Sequence, residues 1–323
     1  KVMIIGDGAT TEKSQYGESI HIGYNGDWSK TRSDTITIGN DLSIANAQDG
    51  SSKPLLAIGN DITLGTVRKA ILIGNEIGNS SQTGQSNLVI GHGSAKGTGS
   101  NQFVIGHGTA SNASSSTSYS TLLGHGVAAA ATNINYSSVI AGTSGMSNAS
   151  SISRTVGIGA PLASGYSGSI SESILIGYGA GANATNLNYC VLIGTGHPGT
   201  STNQRTIAIG HGSAKSNHSN RISIGVNSSS GSSSVTIGED AGNTGGQNTT
   251  IGRYANRFST GDNNVAVGYN SAMGSSGNST FANTVAIGRD ALKVLTTGAG
   301  NTAVGYQSGV ALTTGANNTF FGN

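Results

Sequence analysis

Short apolar triplets, each followed directly by glycine, recur along the whole chain of 323 residues. Examples are "NNVAVG" from Asn263, "NTVAIG" from Asn283 and "RTIAIG" from Arg205. The glycine that follows a triplet, here called the marker glycine, occurs 20 times at intervals of 13 to 20 residues. Because side chains of extended backbone alternate between two faces, the residues one and three before the marker (positions −1 and −3) share one face of a short strand. The marker glycines are Gly6, Gly23, Gly39, Gly59, Gly74, Gly91, Gly106, Gly124, Gly142, Gly159, Gly177, Gly194, Gly210, Gly225, Gly238, Gly252, Gly268, Gly288, Gly305 and Gly322.

The short period predicts an all-β solenoid. About 16 residues per module leave no room for a strand–helix crossover, which needs a dozen or more residues beyond its strands. A coil of two short strands and two turns, stacked on the next coil, satisfies the pattern. The sequence therefore predicts a parallel β-roll or β-solenoid of about 20 coils. Its parts are a less regular, charged N-terminal segment at 1–52, a shaft with Ser/Asn-rich loop inserts at 53–251, and regular repeats at 252–323.

Position −2 predicts a second apolar face. We expect positions −3 and −1 to fill the lumen, so that position −2 points away from it. That position is large and apolar in Leu72, Leu122 and Leu192, and small in Ala266 and Ala286. A continuous exposed apolar stripe is unusual for a soluble monomer, so this face is expected to meet another chain. Three rolls around an axis, a homotrimer, is the favoured arrangement; two chains, or a wider monomeric solenoid whose lumen takes both sets, are the alternatives.

The repeats resemble those of a known family. "NTVAIGRDA" and "RTIAIGHGSA" are similar to the YadA-like head repeats of trimeric autotransporter adhesins, which implies a trimer of left-handed parallel β-rolls. The stretch from Gly298 to Asn323 also resembles Gly-Asn-Asn-Thr-rich repeats of bacteriophage tail fibres. The resemblance covers the whole chain at the level of the repeat and is closest after Gly252. The longer loop inserts depart from the tighter adhesin repeats and favour the tail-fibre version.

Composition and charge exclude several classes of protein. The net charge is +2 and charged residues make up 9% of the chain, without a Lys/Arg cluster, so nucleic acid is not an expected partner. No run of 18 apolar residues exists, so membrane insertion is not expected. Cys190 is the single cysteine, which excludes a disulfide framework.

Acidic residues are too few to predict catalysis. Only 14 Asp and Glu residues are present, and none lies between Ile77 and Ser171. Glycan hydrolysis, the natural enzymatic activity of a fibre, needs two carboxyl groups flanking one bond. We therefore expect a non-enzymatic protein that uses no cofactor.

Three histidines directly follow marker glycines in consecutive modules: His92, His107 and His125. In a β-roll this register stacks them in a ladder, and imidazoles that converge can bind a divalent metal. The same position holds Tyr, Asn or Arg in other modules, so tolerance of polar and aromatic residues there explains the pattern equally. We expect no metal.

Receptor contact is expected in the loop inserts between Thr109 and Tyr166. They carry Tyr119, Tyr136 and Tyr166 in neutral Ser/Asn surroundings, a composition suited to stacking on sugars and to adaptable hydrogen bonding. The alternative is passive surface insertion in a shaft.

Taken together, the sequence predicts a virion protein: a non-enzymatic tail-fibre segment that serves as shaft and binds a host-cell surface glycan or protein receptor. Neighbouring fibre or baseplate proteins are its other expected partners. The alternative is the head of a bacterial trimeric autotransporter adhesin at the cell surface, binding host or matrix surfaces. An ice-binding solenoid ranks last, because the Thr residues do not stack from coil to coil.

Overall fold

The computed structural model describes most of the chain, and its strands fall into two compact units, residues 1–171 and 172–323. The described residues contain strands, turns and bends but no helix, and hence none that is long and apolar enough to cross a bilayer. The described residues are 2–7, 18–27, 34–44, 54–64, 67–78, 84–95, 98–111, 117–143, 145–163, 168–182, 184–197, 203–214, 218–242, 244–275 and 279–322.

The first unit is built on one long parallel sheet. Its strands pair in chain order, each with the strand of the next coil, as a solenoid requires. The strands of this sheet are Val2–Ile5, Ser19–Ile22, Thr35–Ile38, Leu55–Asn60, Ala70–Asn75, Leu88–His92, Gln102–His107, Ser120–His125, Ser138–Thr143 and Val156–Ile158. Shorter strands on other sides of the coils are Ser43–Ile44, Thr63–Leu64, Val67–Arg68, Gly84–Gln85, Thr117–Ser118, Asn133–Asn135, Ser151–Ser153 and Ser169–Ser171.

The second unit repeats this architecture with shorter strands. Its long sheet is also parallel and follows chain order. The strands are Ile174–Ile176, Val191–Ile193, Thr206–Ile209, Arg221–Ile224, Val235–Ile237, Thr249–Ile251, Val265–Val267, Val285–Ile287, Thr302–Val304 and Thr319–Phe321, with the short strands Leu187–Asn188 and Asn203–Gln204 elsewhere on the coils. The expectation of an all-β, parallel β-solenoid is confirmed in both units.

Equivalent positions of successive modules lie directly above one another. Leu88 pairs with Phe103, and His92 pairs with His107. Nearly all marker glycines of the described coils have φ between about +122° and +151°, which directs the chain out of the strand into the next turn. One period of the sequence therefore corresponds to one step between neighbouring strands of the sheet, with equivalent positions paired.

One module departs from the predicted alignment. Ile140 pairs with Leu123, and Ala141, not Gly142, pairs with the marker Gly124. The register then shifts by one residue, which leaves Gly142 as an extra residue. The assignment of Gly142 as marker was wrong because a bulge cannot be distinguished from a longer module in the sequence.

In the structure the inward and outward faces of the strands are the reverse of those predicted. Position −2 is buried in the lumen: Leu72, Leu122 and Ala266 are fully covered. Positions −3 and −1 instead face outwards, where Ile71 is 43% exposed and Ile287 39% exposed. The prediction that positions −3 and −1 fill the lumen was wrong, because the coil is too narrow to hold more than one inward side chain per triplet. A wide lumen that takes both sets is likewise not what the described coils form.

The outward positions −3 and −1 form a continuous apolar surface on each unit, here called the outer apolar face. Its side chains stack from coil to coil and cover one another only laterally, so they remain partly exposed, many of them to about two fifths of their surface. The most exposed are Met3, Ile5, Ile20, Ile36, Ile38, Ile71, Phe103, Ile140, Val156 and Ile158 in the first unit, and Ile174, Ile237, Ile251, Ile287 and Phe321 in the second.

Candidate functional site

Tyr119 and Tyr136 occupy equivalent turns of adjacent coils, five residues before the marker position. Both have φ of 52°, in the left-handed region. Their backbone N–H groups donate to the carbonyls of Ser100 and Ser118, each at 3.0 Å. This turn aims the side chains away from the lumen, and they are 56% and 60% exposed.

The two tyrosine rings stack in parallel. Their centroids are 4.9 Å apart and their planes differ by 1°, a separation set by the spacing of neighbouring strands. The inner ring faces cover each other, so the hydroxyls, the edges and the two outer faces remain available. The sequence analysis did not predict this stacking, and the role of the two tyrosines in receptor contact stays a prediction.

An open groove of about 660 Å³ runs beside Tyr119. Its volume lies in the range of small-ligand sites. The floor is apolar and belongs to the outer apolar face, with Ile71, Leu88 and Phe103. The wall is polar and carries Lys69 and Tyr119. A groove with an apolar floor and hydroxyl, amide and ammonium groups on one wall has the chemistry to hold an elongated, hydroxyl-rich ligand.

The predicted histidine ladder is present. His92, His107 and His125 stack with ring centroids 4.9 Å apart at each step and planes within 4°. The Nε2 atom of His92 also lies 3.7 Å from a carboxylate oxygen of Glu76. Parallel rings project their nitrogens side by side and do not aim them at one point. Within the part of the chain that the structure describes, no group of three or more His, Cys, Asp or Glu residues is arranged to hold a metal ion.

Tyr166, the third tyrosine predicted to touch a receptor, lies outside the described residues. The structure therefore brings together two of the three predicted contacts.

A cluster in the second unit was missed by the sequence analysis. Arg289 lies between two tyrosine rings, with its guanidinium carbon 5.9 Å from the centroid of Tyr269 and 5.8 Å from that of Tyr306. Nearby, Arg253 lies over the ring of Tyr254 at 4.5 Å. The available signal was the alternation of Tyr and Arg directly after successive marker glycines, which is equally typical of a position that tolerates polar residues.

Two buried ionisable groups serve packing in the lumen. Burial raises the pKa of the Cys190 thiol, which stays protonated at neutral pH and is a poor nucleophile. Burial also lowers the pKa of Arg221 to about 10, still well above neutral pH. The Arg221 guanidinium donates to the carbonyls of Ser230 and Ala214 at 2.9 and 3.1 Å, which replaces the water it loses.

Comparison with known proteins assigns no family to the chain. No family model matches it, and neither a curated protein nor a solved structure shows significant similarity.

Proposed function

We propose that this chain is a non-enzymatic, homotrimeric fibre segment of a bacteriophage tail, serving as shaft and as attachment site for a surface glycan of the host. The observation that carries the proposal is the outer apolar face. Ile and Val side chains that are about 40% exposed in many coils and partly exposed in the coils between them form a patch larger than soluble monomers tolerate. Sister chains packed on that face would cover it.

The energetics favour assembly through this face. Covering the exposed part of one Ile or Val contributes roughly 1 kcal/mol. The face presents up to two such side chains per coil, so the gain grows with the number of coils. That sum is large compared with the rotational and translational cost of association, which is incurred once per chain.

The outer apolar face favours three chains over two for a geometric reason. Its side chains are mostly Ile and Val of similar length; position −1 is apolar in every described coil, while position −3 is polar in five of them, at Thr121, Ser138, Thr249, Thr302 and Thr319. Three such stripes converge on an axis and exclude water from it, as the resemblance to trimeric β-rolls also implies. Attachment is assigned to the exposed rings of Tyr119 and Tyr136, because the floor of the neighbouring groove belongs to the outer apolar face and would be covered in the trimer.

A second candidate is the head of a bacterial trimeric autotransporter adhesin. It is supported by the Asn-Thr-Val-Ala-Ile-Gly motif around Asn283, which resembles adhesin-head repeats. Both candidates share the trimer and the absence of catalysis. They differ in whether a bacteriophage or a bacterium carries the protein, and in the surface that it binds.

Native mass spectrometry of the purified chain tests the proposal. We expect three copies, and dissociation to single chains in the double variant Ile237→Asp/Ile251→Asp, because charges would then be buried at the axis. The matched control is Val226→Asp, since Val226 is 45% exposed but lies outside the outer apolar face, after marker Gly225. A monomeric wild-type chain would overturn the proposal.

A further inference from the structure

We infer that the second unit binds an acidic saccharide at the surface formed by Tyr269, Arg289 and Tyr306, here called the Tyr–Arg–Tyr surface. The inference deepens the proposed attachment function, on which it rests, because it names the chemical class of the glycan. The three residues directly follow marker glycines of consecutive coils, so their side chains lie in one column. Their exposure is 41% for Tyr269 and 47% for Tyr306, and 64% for the Arg289 side chain.

The carboxylate of the neighbouring Asp290 holds the Arg289 guanidinium in place. Its Nε lies 3.3 Å from a carboxylate oxygen of Asp290, whose side chain is only 7% exposed. The Asp290 carboxylate also accepts a hydrogen bond from the Asn270 amide at 2.9 Å and lies 3.4 Å from the Lys293 ammonium. Burial opposes ionisation of Asp290, but the Asn270 amide, Lys293 and Arg289 outweigh it and lower its pKa. The Asp290 carboxylate that contacts Arg289 is therefore charged at neutral pH.

The terminal nitrogens of Arg289 remain available. Neither Nη atom has a hydrogen-bond partner among the residues that the structure describes, since the contact with Asp290 uses Nε. Two Nη groups of one guanidinium present parallel N–H donors that match the two oxygens of a carboxylate. Tyrosine rings on both sides restrict the guanidinium and lower the entropy lost on binding.

A carboxylate-bearing sugar fits both features of the surface. Its carboxylate pairs with the Arg289 fork, and the apolar face of its ring packs against Tyr269 or Tyr306, whose hydroxyls are free to contact ring hydroxyls. Consecutive acidic sugars of a polymer could follow the column of coils. A neutral sugar would satisfy only the aromatic part.

The neighbouring arginine provides an internal contrast. Arg253 lies in the same column, but its Nε is 3.1 Å from Glu239 and its Nη2 contacts both Glu239, at 3.4 Å, and the Tyr254 hydroxyl, at 2.7 Å. Its fork is thus occupied by a protein carboxylate. Arg253→Gln is therefore a matched control for Arg289→Gln: the same change in the same column, at an arginine whose Nε and Nη2 already contact protein groups.

Isothermal titration with oligosaccharides of galacturonate, guluronate and sialic acid, each paired with its methyl ester, tests the inference. Esterification removes the charge and keeps the sugar. We expect at least one acid to bind ten-fold or more tightly than its ester, Arg289→Gln to abolish that preference, and Arg253→Gln to change it less than two-fold. Arg289→Lys, which keeps the charge without the fork, should lose more than half of the preference.

Two results would overturn the inference: no preference for the acid over the ester in all three pairs, or equal losses in Arg289→Gln and Arg253→Gln. Thermal melting of each variant verifies that the exposed substitutions leave the fold intact. The oligomeric state of the same samples separates this inference from the proposed function. If the chain is a trimer but does not prefer the acid over the ester, only the saccharide assignment is contradicted. If the chain is a monomer that prefers the acid, only the proposal of a trimeric fibre is contradicted.

Discussion

The marker glycine is fixed by two independent constraints on a single residue. At Gly268 φ is +132°, a region that L-residues rarely adopt. A Cβ atom built at this position would also lie 2.6 Å from the carbonyl oxygen of Gly288 in the next coil. The first constraint concerns local backbone geometry and the second the close stacking of coils. Together they explain why the sequence keeps glycine here while the residues around it vary.

Gly268→Ala should therefore destabilise the second unit by at least about 3 kcal/mol, since strained backbone and steric overlap add. Thermal or urea unfolding measures the change. The matched control is Gly196→Ala: Gly196 also has a positive φ, of 61°, but an added methyl group there would lie 4.0 Å from its nearest neighbour atom, in His211. That substitution should cost only about 1–2 kcal/mol. Equal costs for the two variants would mean that backbone strain alone, and not coil stacking, maintains the marker.

Within each strand, the sequence determined the alternation but not its direction. The two-residue period correctly separated position −2 from positions −3 and −1. It could not identify which side is the lumen, because both sides are apolar. The sizes are informative in retrospect: Ala266 and Ala286 suit a narrow lumen, whereas Val265 and Val285 lie on the outer apolar face. Positions −3 and −1, which face outwards in place of position −2, are also apolar, so the reasoning that an apolar outer face would be covered by another chain still applies.

Buried asparagines form a further element of the coil that periodicity did not reveal. Asn264, four residues before its marker, accepts a hydrogen bond from the Thr284 N–H at 3.1 Å. Its amide donates to the carbonyls of Gly261 and Phe281 at 3.0 and 3.2 Å. Its own N–H donates to the side chain of Asn248 at 2.7 Å. These bonds satisfy backbone groups at the turn where the left-handed residue interrupts the strand ladder.

Asn264→Ala should cost about 2 kcal/mol, because it leaves the buried Thr284 N–H without its acceptor. It also removes one of two donors to the carbonyls of Gly261 and Phe281, which keep the Asn248 amide and the Ser259 hydroxyl, respectively. The neighbouring Asn263→Gly is the control: Asn263 is exposed, and its φ of 59° resembles that of Gly300, which occupies the equivalent position in a later coil. It should change the free energy of unfolding by less than about 1 kcal/mol. Chemical denaturation of both variants gives the comparison, and a near-neutral Asn264→Ala would remove the structural role assigned to the asparagine.

At the scale of the molecule, the sequence predicted the solenoid and part of its candidate sites. The histidine stack followed from register, since equal offsets from the marker place side chains above one another. The tyrosine stack was not predicted, because the marker assigned to Gly142 gave Tyr119 and Tyr136 unequal offsets, and only the bulge in the structure aligns them. The groove did not follow, because its floor required knowing that Ile71 and Phe103 face outwards. The Tyr–Arg–Tyr surface did not follow either, since the availability of the Arg289 donors depends on which atoms Asp290 and Glu239 contact.

A trimer would present each candidate site three times, and this gives the whole molecule a property that one chain lacks. Binding to a polymer-coated surface would then exceed binding of a soluble oligosaccharide through avidity, by roughly 10²-fold or more. The Ile237→Asp/Ile251→Asp variant, which is expected to be monomeric, should lose this excess and keep the affinity for the soluble oligosaccharide. Val226→Asp should retain both.

Surface plasmon resonance on immobilised bacterial polysaccharide, with titration of the corresponding oligosaccharide, measures the two quantities. Replacing Tyr119 and Tyr136 together by Asn, a residue that tolerates their left-handed backbone, should weaken both measurements if the tyrosine stack contacts the glycan. Tyr189→Asn is the matched control, since Tyr189 has φ of 58° and 56% exposure. Unchanged surface binding by the monomeric variant would contradict the avidity expected of a trimer. Unchanged binding by the double tyrosine variant would instead assign attachment to another surface, because only the local site is altered in that case.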